Sequence, residues 1–572
     1  MFSIVFTIIS SIILFYVFKP IYTANELIIS YGIHPFDICS KNPQLWKYIK
    51  TTFIFTSIFS NFLIGYFIYN RILLNLYSLL KNLKSNTNSK KTSNLTVTNH
   101  SKNFPKNSLS LKIGQELFSN KIVYIPESGL YQNFLITGTI GSGKTSSAMY
   151  PFTRQLLKYN SSNNNNNNKI GMLILDVKGN YYNQVKKYTN NYNLDKDLIV
   201  LELRSNIFYN PLHKPNLKAR VLANRLKTIL LLFSENNSES YWLDKAEEVL
   251  SECIKLCRLY NHGYVTFVEL HKLITQPDYY REKIKVLKDL FISSKFNYNQ
   301  IYELNASLDF FEKEFQNLDD RTKGIIISEI TRITNTFVSD YDVMNTFCAP
   351  KEKLTFSGFE EVINNGKIVV LNMNIFEYNA LSKIIATYLK LDFQTEVMYR
   401  LSKNSVKTSA FICDEYDKFA SKTDSEFFSL SREAKCINIV STQSYSSLKT
   451  TLKDEATVKV IVQNLINKIW FRTDDIFTIE EAQKQLGKED KEKVSKSISE
   501  SAKETNFSYI TNCLHSQNSN IAETYSTYLQ NDFIFDSKFF TQNLETFTAL
   551  TFLSDGNKIF PPGKLKMFPH FK

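Results

Sequence analysis

Glycine is scarce in this chain, at 16 of 572 residues, and three of the 16 fall within eight consecutive positions. With so little backbone licence for tight or left-handed turns, such a cluster marks a loop with a special task. Cysteine is nearly as sparse. The seven are odd in number and widely spread, and Cys253 and Cys257, the one close pair, share a helix face with no histidine beside them. A disulfide framework and a zinc site are both excluded on that spacing, which leaves buried thiols in a reducing compartment. No repeat of solenoid period occurs. Charge is missing altogether from residues 2–18 and 51–70.

Those two uncharged runs are near the length of a bilayer crossing. The first lacks the basic leader and small-residue cleavage site of a signal peptide, which favours a retained anchor over a cleaved one. Acids are also missing from the next stretch. Between Arg71 and Pro126 stand Lys81, Lys84, Lys90, Lys91, Lys102, Lys106, Lys112 and Lys121 against Glu116 alone. The positive-inside rule then places the bulk of the chain in the cytoplasm, at a cell membrane crossed twice. A formal net charge of +13 favours an anionic partner, nucleic acid or an acidic lipid surface.

Past residue 121 the pattern changes to short apolar runs alternating with helical stretches, the mark of a parallel α/β sheet. Expected strands are Phe134–Thr137, Met172–Leu175, Leu198–Leu201, Ile368–Leu371, Ala410–Cys413 and Ile437–Ser441. Between Asn210 and Pro350 the strand pattern disappears. The organisation expected is a membrane anchor over 1–80 with transmembrane helices at about 2–20 and 51–70, and a basic flexible linker over 81–120. A nucleotide-binding domain follows in two parts, 121–212 and 351–572, split by an inserted all-α domain over 213–350.

The glycine cluster is Gly138-Thr139-Ile140-Gly141-Ser142-Gly143-Lys144-Thr145, which follows the apolar Phe134-Leu135-Ile136. It fits GxxxxGK(S/T), a loop whose backbone N–H groups wrap phosphates. Gly138, Thr139, Gly141, Ser142, Gly143, Lys144, Thr145 and Ser146 are the expected nucleotide contacts. Lys144 would reach the β/γ oxygens, and the Thr145 hydroxyl would ligate Mg²⁺. A helix beginning near Lys144 points its positive end at the same anion.

Hydrolysis needs carboxylates. Ala410-Phe411-Ile412-Cys413-Asp414-Glu415 is an apolar strand ending in two acids. Asp414 is the expected metal ligand and Glu415 the expected general base. Leu173-Ile174-Leu175-Asp176 ends in one acid and makes Asp176 a neighbour of the site. Ile437-Asn438-Ile439-Val440-Ser441-Thr442-Gln443 carries Gln443 to a strand end, where it can sense a γ-phosphate. Arg432 precedes that strand; by spacing alone it reads as a surface arginine.

Taken in order, these segments resemble the type IV secretion coupling proteins of the TraG/TraD kind. Leu175-Asp176-Val177-Lys178-Gly179 is similar to the family's Asp-x-Lys-Gly. Tyr209-Asn210-Pro211-Leu212 is similar to its aromatic-Asn-Pro-Leu, and Tyr241-Trp242 with Ala246 to the opening of its helical insert. Ser441-Thr442-Gln443-Ser444 resembles its Thr-Gln-Ser segment. Phe552-Leu553-Ser554 and Pro561-Pro562-Gly563 look like its closing strand and turn. The resemblance implies a RecA-like P-loop NTPase domain with a mainly parallel sheet, an inserted all-α domain and two N-terminal transmembrane helices. It implies ATP and Mg²⁺ as cofactors, a homo-hexamer at the inner membrane, and Arg432 as an arginine finger. The implied function is an ATPase coupling single-stranded DNA, or a relaxase–DNA complex, to a type IV secretion channel. Export of protein effectors, or docking without motor activity, are the alternatives. Asn180 departs from the acid usual after Lys-Gly, and no long acidic tail for partner docking is present.

Overall fold

The computed structural model describes residues 43–68, 108–117, 119–163, 168–233, 240–293, 296–403, 406–501, 506–508, 513–515 and 520–571. The chain divides into two compact units, Met1–Asn94 and Leu95–Lys572.

In the first unit the described element is the helix Pro43–Ile68. Ile54, Phe55, Ile58, Phe59, Phe62 and Leu63 are exposed along it. Among the described residues no helix is long and apolar enough to cross a membrane. The span expected at 2–20 lies outside the described residues. The span expected at 51–70 falls mostly in this helix, where Thr51, Thr52, Thr56, Ser57, Ser60 and Asn61 interrupt the apolar run with polar groups.

The second unit is a mixed α/β body around one eleven-stranded sheet. In chain order its strands are β1 (Ser110–Glu116), β2 (Ile122–Pro126), β3 (Phe134–Thr137), β4 (Gly171–Leu175), β5 (Leu198–Leu201), β6 (Ile368–Leu371), β7 (Ser409–Cys413), β8 (Cys436–Thr442), β9 (Asn467–Trp470), β14 (Thr548–Phe552) and β15 (Gly563–Met567). The spatial order is β2-β1-β15-β14-β9-β3-β8-β7-β4-β6-β5. From β9 to β5 the pairing is parallel throughout. The other four strands add an antiparallel edge. β1 lies inside 81–120, the stretch expected to be a linker. Leu109, Leu111 and Ile113 alternate there and bury their side chains, so the lysine-rich composition conceals a half-buried strand.

Both faces of the parallel strands are covered, which is why these strands read as unbroken apolar runs. Phe134 and Ile136 of β3, Met172 and Ile174 of β4, and Ile437 and Ile439 of β8 pack on one face with the helices Tyr150–Ser162 and Asn180–Asn191. Leu135, Leu173, Leu175 and Phe411 point to the other face, whose core runs without a break into the helices between β5 and β6. All the described helices and strands of that segment, from Ala219 to Asn365, are helical. A capping box at Thr266 and Glu269 and another at Asn297 and Gln300 begin two of them.

The remaining strands stand outside the sheet. β10 (Lys488–Ser501) and β13 (Asn520–Phe533) pair in register along 14 residues each, and β11 (Asn506–Ser508) pairs with β12 (Cys513–His515). At about 3.3 Å per residue the β10–β13 ribbon is about 46 Å long.

Candidate functional site

Parallel strands deliver their following loops to one edge of the sheet, and that carboxyl edge is where open α/β sheets bind ligands. Here β3, β8, β7 and β4 are consecutive neighbours. The loop Gly138–Thr145 therefore follows β3, Gln443 follows β8, Asp414 and Glu415 follow β7, and Asp176 follows β4. Four segments far apart in sequence meet along one short edge.

The loop after β3 is held from both sides. Thr139 donates its backbone N–H to the Arg472 carbonyl at 2.9 Å, and the Phe547 N–H reaches the Ser142 carbonyl at 3.2 Å. Ser142 Oγ donates to the Thr139 carbonyl at 2.7 Å, and Ser146 Oγ donates to the Gly143 carbonyl at 3.3 Å. Gly143 sits at φ +101°, and a Cβ there would lie 2.6 Å from Phe547 Cδ1. Only glycine satisfies both the left-handed backbone and that close approach. Beyond Lys144 the chain makes a π turn, Thr145–Met149, before the helix Tyr150–Ser162. Lys144 is buried and its Nζ donates to the Gly138 carbonyl, closing the loop on itself. Burial pulls the ammonium below its ordinary pKa, against the opposing pull of Asp414 and Glu415.

Asp414 is buried at the centre of this edge. Its Oδ2 accepts Thr145 Oγ1 at 2.8 Å, and its Oδ1 accepts the Ser441 hydroxyl and the Glu415 N–H, the latter at 3.1 Å. Asp176 accepts the N–H groups of Lys178 and Tyr181, each at 3.1 Å. Burial raises its pKa, with the nearby Asp414 adding to the effect. Glu415 takes a left-handed backbone at φ +52°, and its Oε1 meets Lys178 Nζ at 2.5 Å. Hydrogen bonding to Glu415 raises Lys178 in turn.

A hydroxyl and a carboxylate in contact, opening on a phosphate-shaped loop, suit a small hard cation. Mg²⁺ keeps several waters and takes one or two protein ligands plus phosphate oxygens. Among the described residues no cluster of three or more His, Cys, Asp or Glu makes a metal site by itself. Thr145 and Asp414 fit the shared kind of site rather than an all-protein cage.

Lys144, Thr145, Asp414, Glu415 and Gln443 thus share one edge. Arg432 does not. It precedes β8, at the opposite edge of the sheet, where it donates to the Gly556 carbonyl at 3.3 Å. Three contacts at the site have no counterpart in the sequence expectations: Ser441 on Asp414, Phe547 as the wall behind Gly143, and Arg472 as the anchor of Thr139. A fourth is His570, which donates its backbone N–H to the Ser146 carbonyl at 2.9 Å and packs edge-on against Tyr150. Only the pattern around Ser441, a strand-end hydroxyl one strand from the acids, carried any signal.

Residues 409–527 match a family model described as the TraM recognition site of TraD and TraG. Among solved structures, the trigonal form of the bacterial conjugative coupling protein TrwBΔN70 with sulphate aligns over 82% of this chain and 95% of its own, at 14% identity and a TM-score of 0.52. Plasmid coupling protein TrwB in complex with ADP and Mg²⁺ aligns over 80% and 89%, at 13% identity and a TM-score of 0.51. The chain resembles the type IV coupling proteins. Its likeness to TrwB is one of fold, and no curated protein matches it in sequence. The coupling-protein match begins on β7 and ends in β13, so Asp414, Glu415, Arg432 and Gln443 lie within it. The phosphate loop lies outside.

Proposed function

We propose that this chain is a membrane-anchored ATPase that couples a DNA or nucleoprotein substrate to a type IV secretion channel. One observation carries the reading: a phosphate loop and a paired Asp-Glu strand end meet at one sheet edge, with Thr145 Oγ1 and Asp414 Oδ2 at 2.8 Å. A TrwB structure holds ADP and Mg²⁺ on a similar fold, which supports ATP and Mg²⁺ as cofactors here.

In this reading Lys144 would give up the Gly138 carbonyl for the β/γ oxygens; Thr145 and Asp414 would hold Mg²⁺, whose positive charge would offset the negative charge of the phosphates. Glu415 would take a proton from the attacking water, and Gln443 would sense the γ-phosphate or orient that water. Arg432, at the far edge of its own sheet, would serve the site of a neighbouring subunit in a homo-hexamer. The N-terminal unit would hold the ring at a membrane, with Ile54, Phe55, Ile58, Phe59, Phe62 and Leu63 offering an apolar surface. The exposed parts of the segment 409–527, outside the buried strands β7 and β8, would present a docking surface for a relaxosome protein.

Sequence-independent DNA handling is electrostatic and weakens steeply with salt. ATP turnover by the full-length protein in detergent, with and without single-stranded DNA, tests the reading. Stimulation that fades as salt rises is expected. Turnover indifferent to DNA would instead favour export of protein effectors.

A further inference from the structure

Two lysines reach into the carboxyl edge, and each is held by an acceptor of the chain itself. Lys144 is closed onto the Gly138 carbonyl. Lys178 is closed onto Glu415 Oε1 at 2.5 Å, although its side chain is 52% exposed. Lys178, like Lys144, feels the charges of Asp414 and Glu415, and the two ammonium groups repel one another. Lys144 follows β3 and Lys178 follows β4, so both stand at the carboxyl edge of the sheet.

The mount beneath Lys178 is rigid. β4 pairs with β7 through Leu175 and Cys413, and the Asp414 N–H reaches the Leu175 carbonyl at 3.0 Å. Asp176 then fixes the next turn by accepting the N–H groups of Lys178 and Tyr181, with Gly179 at φ +73° before the helix Asn180–Asn191. Glu415 is equally fixed, at φ +52° between Asp414 and the short turn Tyr416–Lys418. Backbone freedom is small on both sides, so the Lys178 side chain is the part that can change partner.

We infer that Lys178 is a positioning residue that holds the Glu415 carboxylate until a nucleoside triphosphate binds and then transfers its ammonium to the terminal phosphate. This rests on the ATPase reading above. The transfer has a physical direction. A terminal phosphate carries more negative charge than one carboxylate and accepts charge-assisted hydrogen bonds on three oxygens. Once Lys178 leaves, Glu415 is released to accept a proton from water, and release happens only when a third phosphate is present. A diphosphate leaves the pair closed. The site thereby distinguishes triphosphate from diphosphate through a side chain outside the phosphate loop.

The experiment compares wild type, Lys178→Ala and Lys178→Arg in the full chain, with Lys144→Ala as the binding control. Affinity for ADP and for a non-hydrolysable ATP analogue is measured beside kcat and KM. Lys178→Ala is expected to keep ADP affinity within about twofold, to lose most of the preference for triphosphate, and to lower kcat at least tenfold. Lys178→Arg should restore most of both, since a guanidinium can make the same exchange. A Lys178→Ala protein with unchanged triphosphate preference and kcat within twofold would overturn the inference while leaving the ATPase reading intact. A wild-type chain that binds neither nucleotide would overturn both. An unchanged thermal melt separates lost positioning from lost folding; should Lys178→Ala unfold, failure of Lys178→Arg to discriminate triphosphate would still overturn the inference.

Discussion

Single residues decide how much of the carboxyl edge is poised and how much is merely tolerated. Lys468, on β9 beside the phosphate-loop strand, is 2% exposed, and its Nζ finds only the Leu465 carbonyl at 3.0 Å. Burial lowers its pKa from 10.5 to about 8. Because the folded value lies below the unfolded one, the native chain releases this proton first as pH rises. From pH 8 to 10.5 the unfolded chain binds more protons, so stability climbs with pH; below 8 the full burden remains. At ~1.4 kcal/mol per unit the burden is roughly 3 kcal/mol. Lys468→Met should therefore be more stable than wild type at pH 7, and the gap should narrow toward pH 10.5, as read by denaturant unfolding at both values. The residues whose types declare their chemistry were legible in sequence: Lys144 and Thr145 in a glycine-rich octapeptide, Asp414 and Glu415 at the end of an apolar run. The contacts between them were not. Ser441 on Asp414, Lys178 on Glu415 and Phe547 behind Gly143 join positions up to about 400 residues apart, and no local spacing encodes such pairs.

At the level of elements, legibility followed burial. The parallel strands β3 to β8 lie between two packed layers, and each shows as an apolar run within a residue or so of its true ends. The antiparallel edge was hidden, since β1 and β15 carry lysines on their open side while burying Leu111, Ile113, Leu565 and Met567. The β10–β13 ribbon was hidden for the opposite reason. Solvent reaches both its faces, so it has no alternation to read. Its exposed Val494 and Ile498 lie on the same face as Tyr525 and Leu529, while Lys493–Asp532 and Lys496–Glu523 tie the strands together. A two-stranded ribbon contributes little to a distant core. Its ends are adjacent, the Ile534 N–H reaching the Gly487 carbonyl at 3.2 Å. Replacing Lys488–Phe533 by a short Gly-Ser linker should shift the melting temperature by no more than about 3 °C, or ~1 kcal/mol. A much larger drop in a thermal melt would mean that the ribbon supports the core.

For the whole molecule, charged groups divide between the two ends of the sheet. The phosphate loop and its carboxylates gather at one end of the sheet, and Arg432 stands at the other, against Gly556. Lys144 and Lys178 are the cations this edge supplies itself, and a neighbouring subunit is the proposed source of a further one, an arginine. The helices between β5 and β6 share one core with the sheet face beneath them, so motion at the strand ends would reach that layer through packed side chains. ATP hydrolysis is the chemistry proposed for this edge. The most direct test compares ATP binding and turnover of the full-length wild type with Lys144→Ala and Glu415→Gln. Expected are turnover by wild type, loss of binding in Lys144→Ala, and retained binding with turnover reduced at least a hundredfold in Glu415→Gln. Wild-type turnover in Glu415→Gln would contradict the proposal.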